Sequence, residues 1–413
     1  MSPGGARFTT FSSGRPGRVS AGDASPERVY LDYGGFAPVD PRVLAVMRPF
    51  LEAGIGNPSA PHSLGAEARA ALEAARVKVA RLCGGAAAGV IFTSGATEAN
   101  NLAIRGVAHG PRGAGGARVI VSSVEHVSVV NACRELERGG AAVVTLPVDS
   151  EGRVVLDALR SALGTEAALV SIGAASGEIG TLQPLGEIGR LTRAAGVPLH
   201  VDAVGALGRV PLAVDAMGID LLTLSGNDIY GPPGTGALWV RPELKIRPQI
   251  LGGGQEGGYR AGTENLPALV GFGVAAELMR TEGGHGEAAR LAALRDQLLD
   301  ELLDAVVDCR MTGPRSGRLP HHLSVVLRGV KADSVLLDLD LAGIAASSGS
   351  ACASLTQTPS ATLRAIGCAP DELDGPLCFT LGRFSTSADV EAVLRQLPPI
   401  VARLRALAPL GRR

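Results

Sequence analysis

The side chain in this sequence best suited to nucleophilic chemistry is a cysteine set among small residues, Ser347-Ser348-Gly349-Ser350-Ala351-Cys352-Ala353-Ser354. Such a run has little apolar surface to fix it, so the thiol is expected on a mobile loop and reactive, not as an inert core residue. The other five cysteines, Cys83, Cys133, Cys309, Cys368 and Cys378, are scattered without a CxxC pair, which argues against a zinc site or a disulfide framework. A second group is Thr93-Ser94-Gly95-Ala96-Thr97-Glu98, which joins an apolar run to a helical pattern. A strand, a glycine turn and a helix start together offer unpaired amides that suit a phosphate; taken alone, the turn is equally a helix cap. His126 and Asp202 each follow or end a strand-like run, and each by itself reads as well as a structural residue. The run LLTLSGNDIYGPPG over 221–234 carries Asn227 and Asp228 where a strand meets a turn. The chain has only three lysines, Lys78, Lys245 and Lys331.

These residues need a scaffold, and the pattern supplies one of alternating strands and helices. Strands are predicted at Val29–Tyr33, Val90–Phe92, Arg118–Ser122, Val143–Leu146, Ala168–Ile172, Pro198–Val201, from Leu221, and at Gly236–Val240. Helical spacing covers Pro41–Ala53 and Ala66–Cys83, the latter carrying Lys78. From about residue 280 the chain reads as a smaller α+β unit, with a helix over Ala288–Val307, strands at Leu323–Leu327 and Leu377–Leu381, and a last helix over Ala388–Leu407. Residues 1–27, rich in Gly, Ser, Arg and Pro, are expected to be a disordered tail. The division predicted is thus the tail, a large unit over 28–279 whose first residues join the small one, and a small C-terminal unit over 280–413.

The 413 residues, 46% of them hydrophobic, support a buried core, and the formal charge of −1 leaves no electrostatic footprint for nucleic acid or an anionic membrane. No apolar stretch approaches the roughly 20 residues needed to span a bilayer, so a cytoplasmic protein is expected.

Several of these motifs, in order, resemble the cysteine desulfurases, pyridoxal-phosphate enzymes of the class V aminotransferase group. The match rests on GNPS…HS…G from Gly56, SGATEANN from Ser94, Val124-Glu125-His126, Ser176-Gly177-Glu178-Ile179-Gly180, LSGNDIYGP from Leu224, Gly252-Gly253-Gly254-Gln255-Glu256 with Arg260-Ala261-Gly262-Thr263, the Cys352 loop and PLCFTLGR from Pro376. The resemblance implies an α/β fold-type-I architecture with a mostly parallel seven-stranded sheet in the large domain and a smaller α+β domain. It implies Ala96, Thr97, Ser225 and Thr263 as phosphate-binding, Thr263 across a homodimer interface, His126 stacked on the cofactor ring, and Asp202 paired with the ring nitrogen. Cys352 is implied as the thiol that takes sulfur from L-cysteine.

Besides the entry loop Gly34-Gly35-Phe36-Ala37, five pocket positions depart from the family pattern. Asp228 stands for the Schiff-base lysine, Asn227 for the preceding histidine, Ser176 for an asparagine, Gly205 for a glutamine and Cys378 for the arginine that binds the substrate carboxylate. The expectation is a desulfurase-like protein of sulfur trafficking or iron–sulfur cluster assembly that holds no covalent pyridoxal phosphate. It would act through Cys352 as a sulfur relay, or as an iron–sulfur ligand offered to a scaffold or sulfur-acceptor partner. An enzyme or C–S lyase holding the cofactor non-covalently, and a structural subunit of a dimer, are the alternatives.

Overall fold

The computed structural model describes residues 28–52, 56–113, 116–164, 167–349 and 359–407. The expected tail and Cys352 lie outside the described residues, so nothing below bears on their conformation.

The chain opens with β1 (Val29–Tyr30), α1 (Pro41–Glu52) and α2 (Ser63–Cys83). α2 begins three residues earlier than apolar spacing predicts because the His62 side chain caps it, its Nδ1 accepting the Gly65 amide at 3.1 Å. Next come β2 (Val90–Thr93), α3 (Ala96–Ala108), β3 (Arg118–Ser122), α4 (Val127–Arg138), β4 (Ala142–Leu146), α5 (Leu156–Ala162), β5 (Ala167–Gly173), α6 (Leu185–Ala194), β6 (Leu199–Asp202), β7 (Leu221–Ser225) and β8 (Gly236–Val240). These strands form one seven-stranded sheet in the order β2-β8-β7-β6-β5-β3-β4. β8 runs antiparallel to both neighbours and the remaining pairs are parallel. β7 and β8 are buried at every residue, as expected of strands covered by helices on both faces. α7 (Leu266–Glu282) packs against α1 and α2. It lies so close to α2 that a β-carbon on Gly273 would fall 2.7 Å from the Cα of Ala75.

The second core belongs to a smaller layer. α8 (Ala288–Ala305), β9 (Cys309–Met311), β10 (His322–Leu327), α9 (Ala332–Leu341), β11 (Ile344–Ala345), α10 (Ala361–Ala365), β12 (Pro376–Thr380) and α11 (Ser387–Leu407) complete the described elements. β10 lies between β9 and β12 in an antiparallel sheet whose apolar face meets α8 and α11. β1 pairs with β11 and so belongs to this layer. The strand expected over Val29–Tyr33 stops at Tyr30 because Asp32 turns to a bridge with Thr380 beside β12.

A buried ion pair fixes the glycine-rich loop before α7. Arg76 meets Glu256 through two hydrogen bonds of 2.7 and 2.8 Å, and Glu256 also accepts the Phe92 amide at 2.7 Å. Glu256 holds a left-handed backbone (φ 48°), a conformation that a side chain resists unless its surroundings impose it. Glu256→Ala is therefore expected to lower stability by about 3–5 kcal/mol, the typical cost of stranding a buried charge, read as a fall in the thermal midpoint. A midpoint within a degree of wild type would show the pair to be dispensable.

Candidate active site

The chemistry-bearing residues gather at the carboxyl ends of β3, β5, β6 and β7, where an open parallel sheet exposes its loops. β7 ends at Ser225, and Asn227–Ile229 form a single 3-10 turn closed by the Gly231 amide on the Gly226 carbonyl at 2.8 Å. Gly226 is required here, since a β-carbon would fall 2.2 Å from Thr235 Oγ1. Arg209 Nη2 donates to the Asp228 carbonyl at 2.9 Å. The Asp228 carboxylate is hydrogen-bonded by the Ser225 side chain; burial raises its pKa, Ser225 and the Arg209 charge oppose this, and the Asp202 charge adds to it. The hydroxyl expected to serve a phosphate is thus engaged by Asp228.

Asp202 ends β6. Its Oδ2 accepts from Asn100 Nδ2 at 2.7 Å and its Oδ1 from the Val204 amide at 3.1 Å. The same Asn100 nitrogen lies 2.8 Å from Ser128 Oγ, which lies 2.7 Å from His126 Nδ1. His126 Nδ1 also accepts the Ser128 amide and so caps α4, which leaves Nε2 to carry the proton of a neutral ring. A continuous chain therefore joins His126 to Asp202 through Ser128 and Asn100. Sequence alone assigns neither Asn100 nor Ser128 a role; the only signal for Asn100 is an amide on a helix positioned to be wholly buried.

Glu125 is a further buried polar group of the cleft to which sequence alone assigns no role. Its carboxylate accepts from Ser122 Oγ at 2.6 Å and from the Gly173 amide at 2.9 Å, and burial first, then the Asp202 charge, pushes its pKa up to about 7. Ala96 and Thr97 open α3 behind Gly95, which offers no side-chain cap. Glu98 accepts the Ser94 amide and hydroxyl and, through its other oxygen, Arg260 Nε at 3.0 Å. Thr263 is exposed on the loop that follows Arg260.

At the departing positions, Ser176 is 4% exposed and its hydroxyl has no partner among the described residues, while a β-carbon on Gly205 would meet only Leu319, at 3.4 Å. Gly205 therefore leaves room where a longer side chain would reach. Cys378 is buried in β12 with Sγ 3.2 Å from His322 Nε2, and burial, with the Asp32 charge, pushes its thiol up to about 12. Ser347, at the near end of the Cys352 segment, exchanges backbone hydrogen bonds with Cys378 at 2.7 and 3.2 Å. Lys78 lies on α2, Lys245 lines a cavity of about 580 Å³ beside Arg76 and Glu256, and Lys331 precedes α9. None of the three hydrogen-bonds a site residue named above among the described contacts.

The sheet order, its mostly parallel strands and the polar groups at their carboxyl ends define an α/β protein of the fold-type-I architecture. The chain belongs to the aminotransferase class-V family, whose description matches residues 29–393. It is 45% identical over 384 residues to a protein named cysteine desulfurase IscS 1 from Archaeoglobus fulgidus, covering 93% of this chain and 100% of that one. It is 42% identical over 381 residues to cysteine desulfurase IscS from Dictyoglomus turgidum, covering 92% and 96%. A solved structure described as a NifS-like protein superposes with a TM-score of 0.84 at 32% identity, over 91% of this chain and all of the other.

Proposed function

We propose that this protein is a desulfurase-like member of sulfur trafficking or iron–sulfur cluster assembly whose cofactor site has lost its covalent anchor. The observation that carries the reading is Asp228, a carboxylate on the turn after β7, hydrogen-bonded by Ser225 and repelled by Asp202. Asp202, His126 and the α3 start suit the ring and phosphate of pyridoxal phosphate; Asp228 does not suit its aldehyde, and it adds negative charge beside the phosphate seat. The residues therefore do not fit a covalently held cofactor, and function is assigned to Cys352 as a sulfur relay or cluster ligand presented to a scaffold or acceptor protein. The retained chain from His126 to Asp202 favours a second reading, a desulfurase or C–S lyase that binds the cofactor non-covalently and acts on L-cysteine.

A homodimer is part of the proposal. Leu44, Leu51, Leu64 and Leu251, on α1, the start of α2 and the glycine-rich loop, are each more than half exposed in the single chain, a pattern suited to burial against a second copy. The division of the chain near residue 280 and a cytoplasmic location are proposed with it; no helix among the described residues is long and apolar enough to cross a membrane.

Incubation with pyridoxal phosphate, borohydride reduction and peptide mass spectrometry test the reading. The expected result is no pyridoxyl adduct on Lys78, Lys245 or Lys331 above that of the denatured protein. A stoichiometric adduct on one of them in the native protein overturns it. Yellow colour that dialysis removes, with sulfide release from L-cysteine, favours the second reading.

A further inference from the structure

We propose that Tyr230 and Arg383 are positioning residues that tie the Asn227–Tyr230 turn of the candidate site to the connection between α7 and α8, so that the turn and the smaller layer respond as one unit. The inference goes beyond the proposed function and holds whether or not the cleft takes a cofactor.

Tyr230 follows Asp228 by two residues and closes the turn in the left-handed region (φ 64°, ψ 21°), one of three non-glycine residues with positive φ among those described. A tyrosine holds that conformation only where its surroundings impose it. Its ring is 1% exposed, edge-on to Tyr33 and Phe384, with the Arg383 guanidinium 4.7 Å from its centroid. Its hydroxyl accepts the Arg383 amide at 2.7 Å and donates to Glu287 at 3.3 Å, and its carbonyl accepts the Asp40 amide at 2.9 Å.

Arg383, three residues beyond β12, carries the link outward. Its Nη1 donates to Asp40 at 2.8 Å and its Nε to Glu287 at 3.0 Å. Glu287 immediately precedes α8, and Glu282, which ends α7, lies 3.8 Å from Arg383 and is held by Arg42 at 2.6 Å. Between those two glutamates the helix breaks at Gly284 (ψ −128°), the point where the chain passes from the large sheet's helices to those of the small sheet. Asp40 precedes α1 and Tyr230 follows β7, so one guanidinium joins the large sheet, the α7–α8 break and the small sheet. Arg42 reaches Asp40 and Glu282 but makes no hydrogen bond to Tyr230, and so provides a control within the same cluster.

Hydrogen–deuterium exchange on the full-length protein, read by peptide mass spectrometry, tests the coupling. Glu287→Gln alters the α8 side of the link, and is expected to raise exchange at least threefold both in 282–287 and in the distant turn 226–231, with peptides of β3 unchanged. Tyr230→Phe, which keeps the ring and removes the hydroxyl, is expected to do the same from the other end. Arg42→Gln should loosen 282–287 alone. The inference is overturned if Glu287→Gln and Tyr230→Phe each loosen only their own segment, or if β3 loosens equally, which would mean general destabilisation. If Arg383→Gln does not fold, these two single variants still decide.

Discussion

A lysine in place of Asp228 is expected to give a protein that takes up pyridoxal phosphate as a borohydride-reducible, visibly coloured adduct on that lysine. The substitution acts three ways at once. It supplies the amine, it removes a carboxylate whose charge is set against Asp202, and it frees the Ser225 hydroxyl for a phosphate. Asp202 already has Asn100 and the Val204 amide to orient it, so the ring partner needs no repair. Turnover of L-cysteine should nevertheless stay at least about 100-fold below that of an active relative. The arginine expected for the substrate carboxylate is Cys378, buried against His322, and losing one charge-assisted pair costs roughly 1.5–3 kcal/mol, about 10- to 150-fold. Ser176 and Gly205 hold the ring less firmly still. Absorbance and sulfide release measure the two halves; near-normal turnover in the single variant would mean that those three positions matter little.

Under the proposed function, Cys352→Ser is expected to abolish sulfur or cluster transfer to the proposed scaffold partner while leaving the proposed dimer intact, whereas Cys83→Ser and Cys309→Ser change neither. The five described cysteines explain the contrast. Burial raises the pKa of every one: Cys83 and Cys309 to about 11, Cys133 and Cys378 to about 12, and Cys368 against the pull of Arg310. Thiols that cannot reach the thiolate at neutral pH are poor nucleophiles and poor metal ligands. Cys352, in a segment of small polar residues, is the one that sequence leaves for the task. The cleft that the family resemblance assigns to this thiol holds neither a lysine at 228 nor an arginine at 378 to favour the thiolate, so it should react more slowly than the same cysteine in an active relative. Reconstituted transfer with labelled sulfur is the measurement. Transfer by Cys352→Ser at the wild-type rate would leave only a structural role for this chain.

How far the chain could be read before folding depended on whether the signal was local. β3 and β8 are continuous apolar runs bounded by polar residues, and both are found over the residues expected. The turn at Ser94–Thr97 and Asp202 at a strand end were likewise legible, because each is written within a few neighbouring positions. The His126–Ser128–Asn100–Asp202 chain was not. Its partners are up to 102 residues apart and come from α3, α4 and β6, which follow or form strands that are not neighbours in the sheet, so they meet only once the whole sheet has assembled. Glu125 was hidden for the same reason, since its partner Gly173 belongs to the adjacent strand. The shortness of β1 was invisible because Thr380, which draws Asp32 away, lies at the far end of the chain.

The pairing of β1 with β11 has a consequence for how the protein is made. Val29 meets Ile344, and Asp32 meets Thr380, across more than three hundred residues of intervening chain. At translation rates of roughly 5–20 residues per second, β1 leaves the ribosome about 15–60 s before its partner exists. The seven strands of the large sheet all lie between the two and can associate in that interval without it. The smaller layer, by contrast, closes only when the last third of the chain returns to capture its first strand, so a ribosome that stalls after α7 would release a protein with a nearly complete large sheet and an unclaimed β-strand at its front.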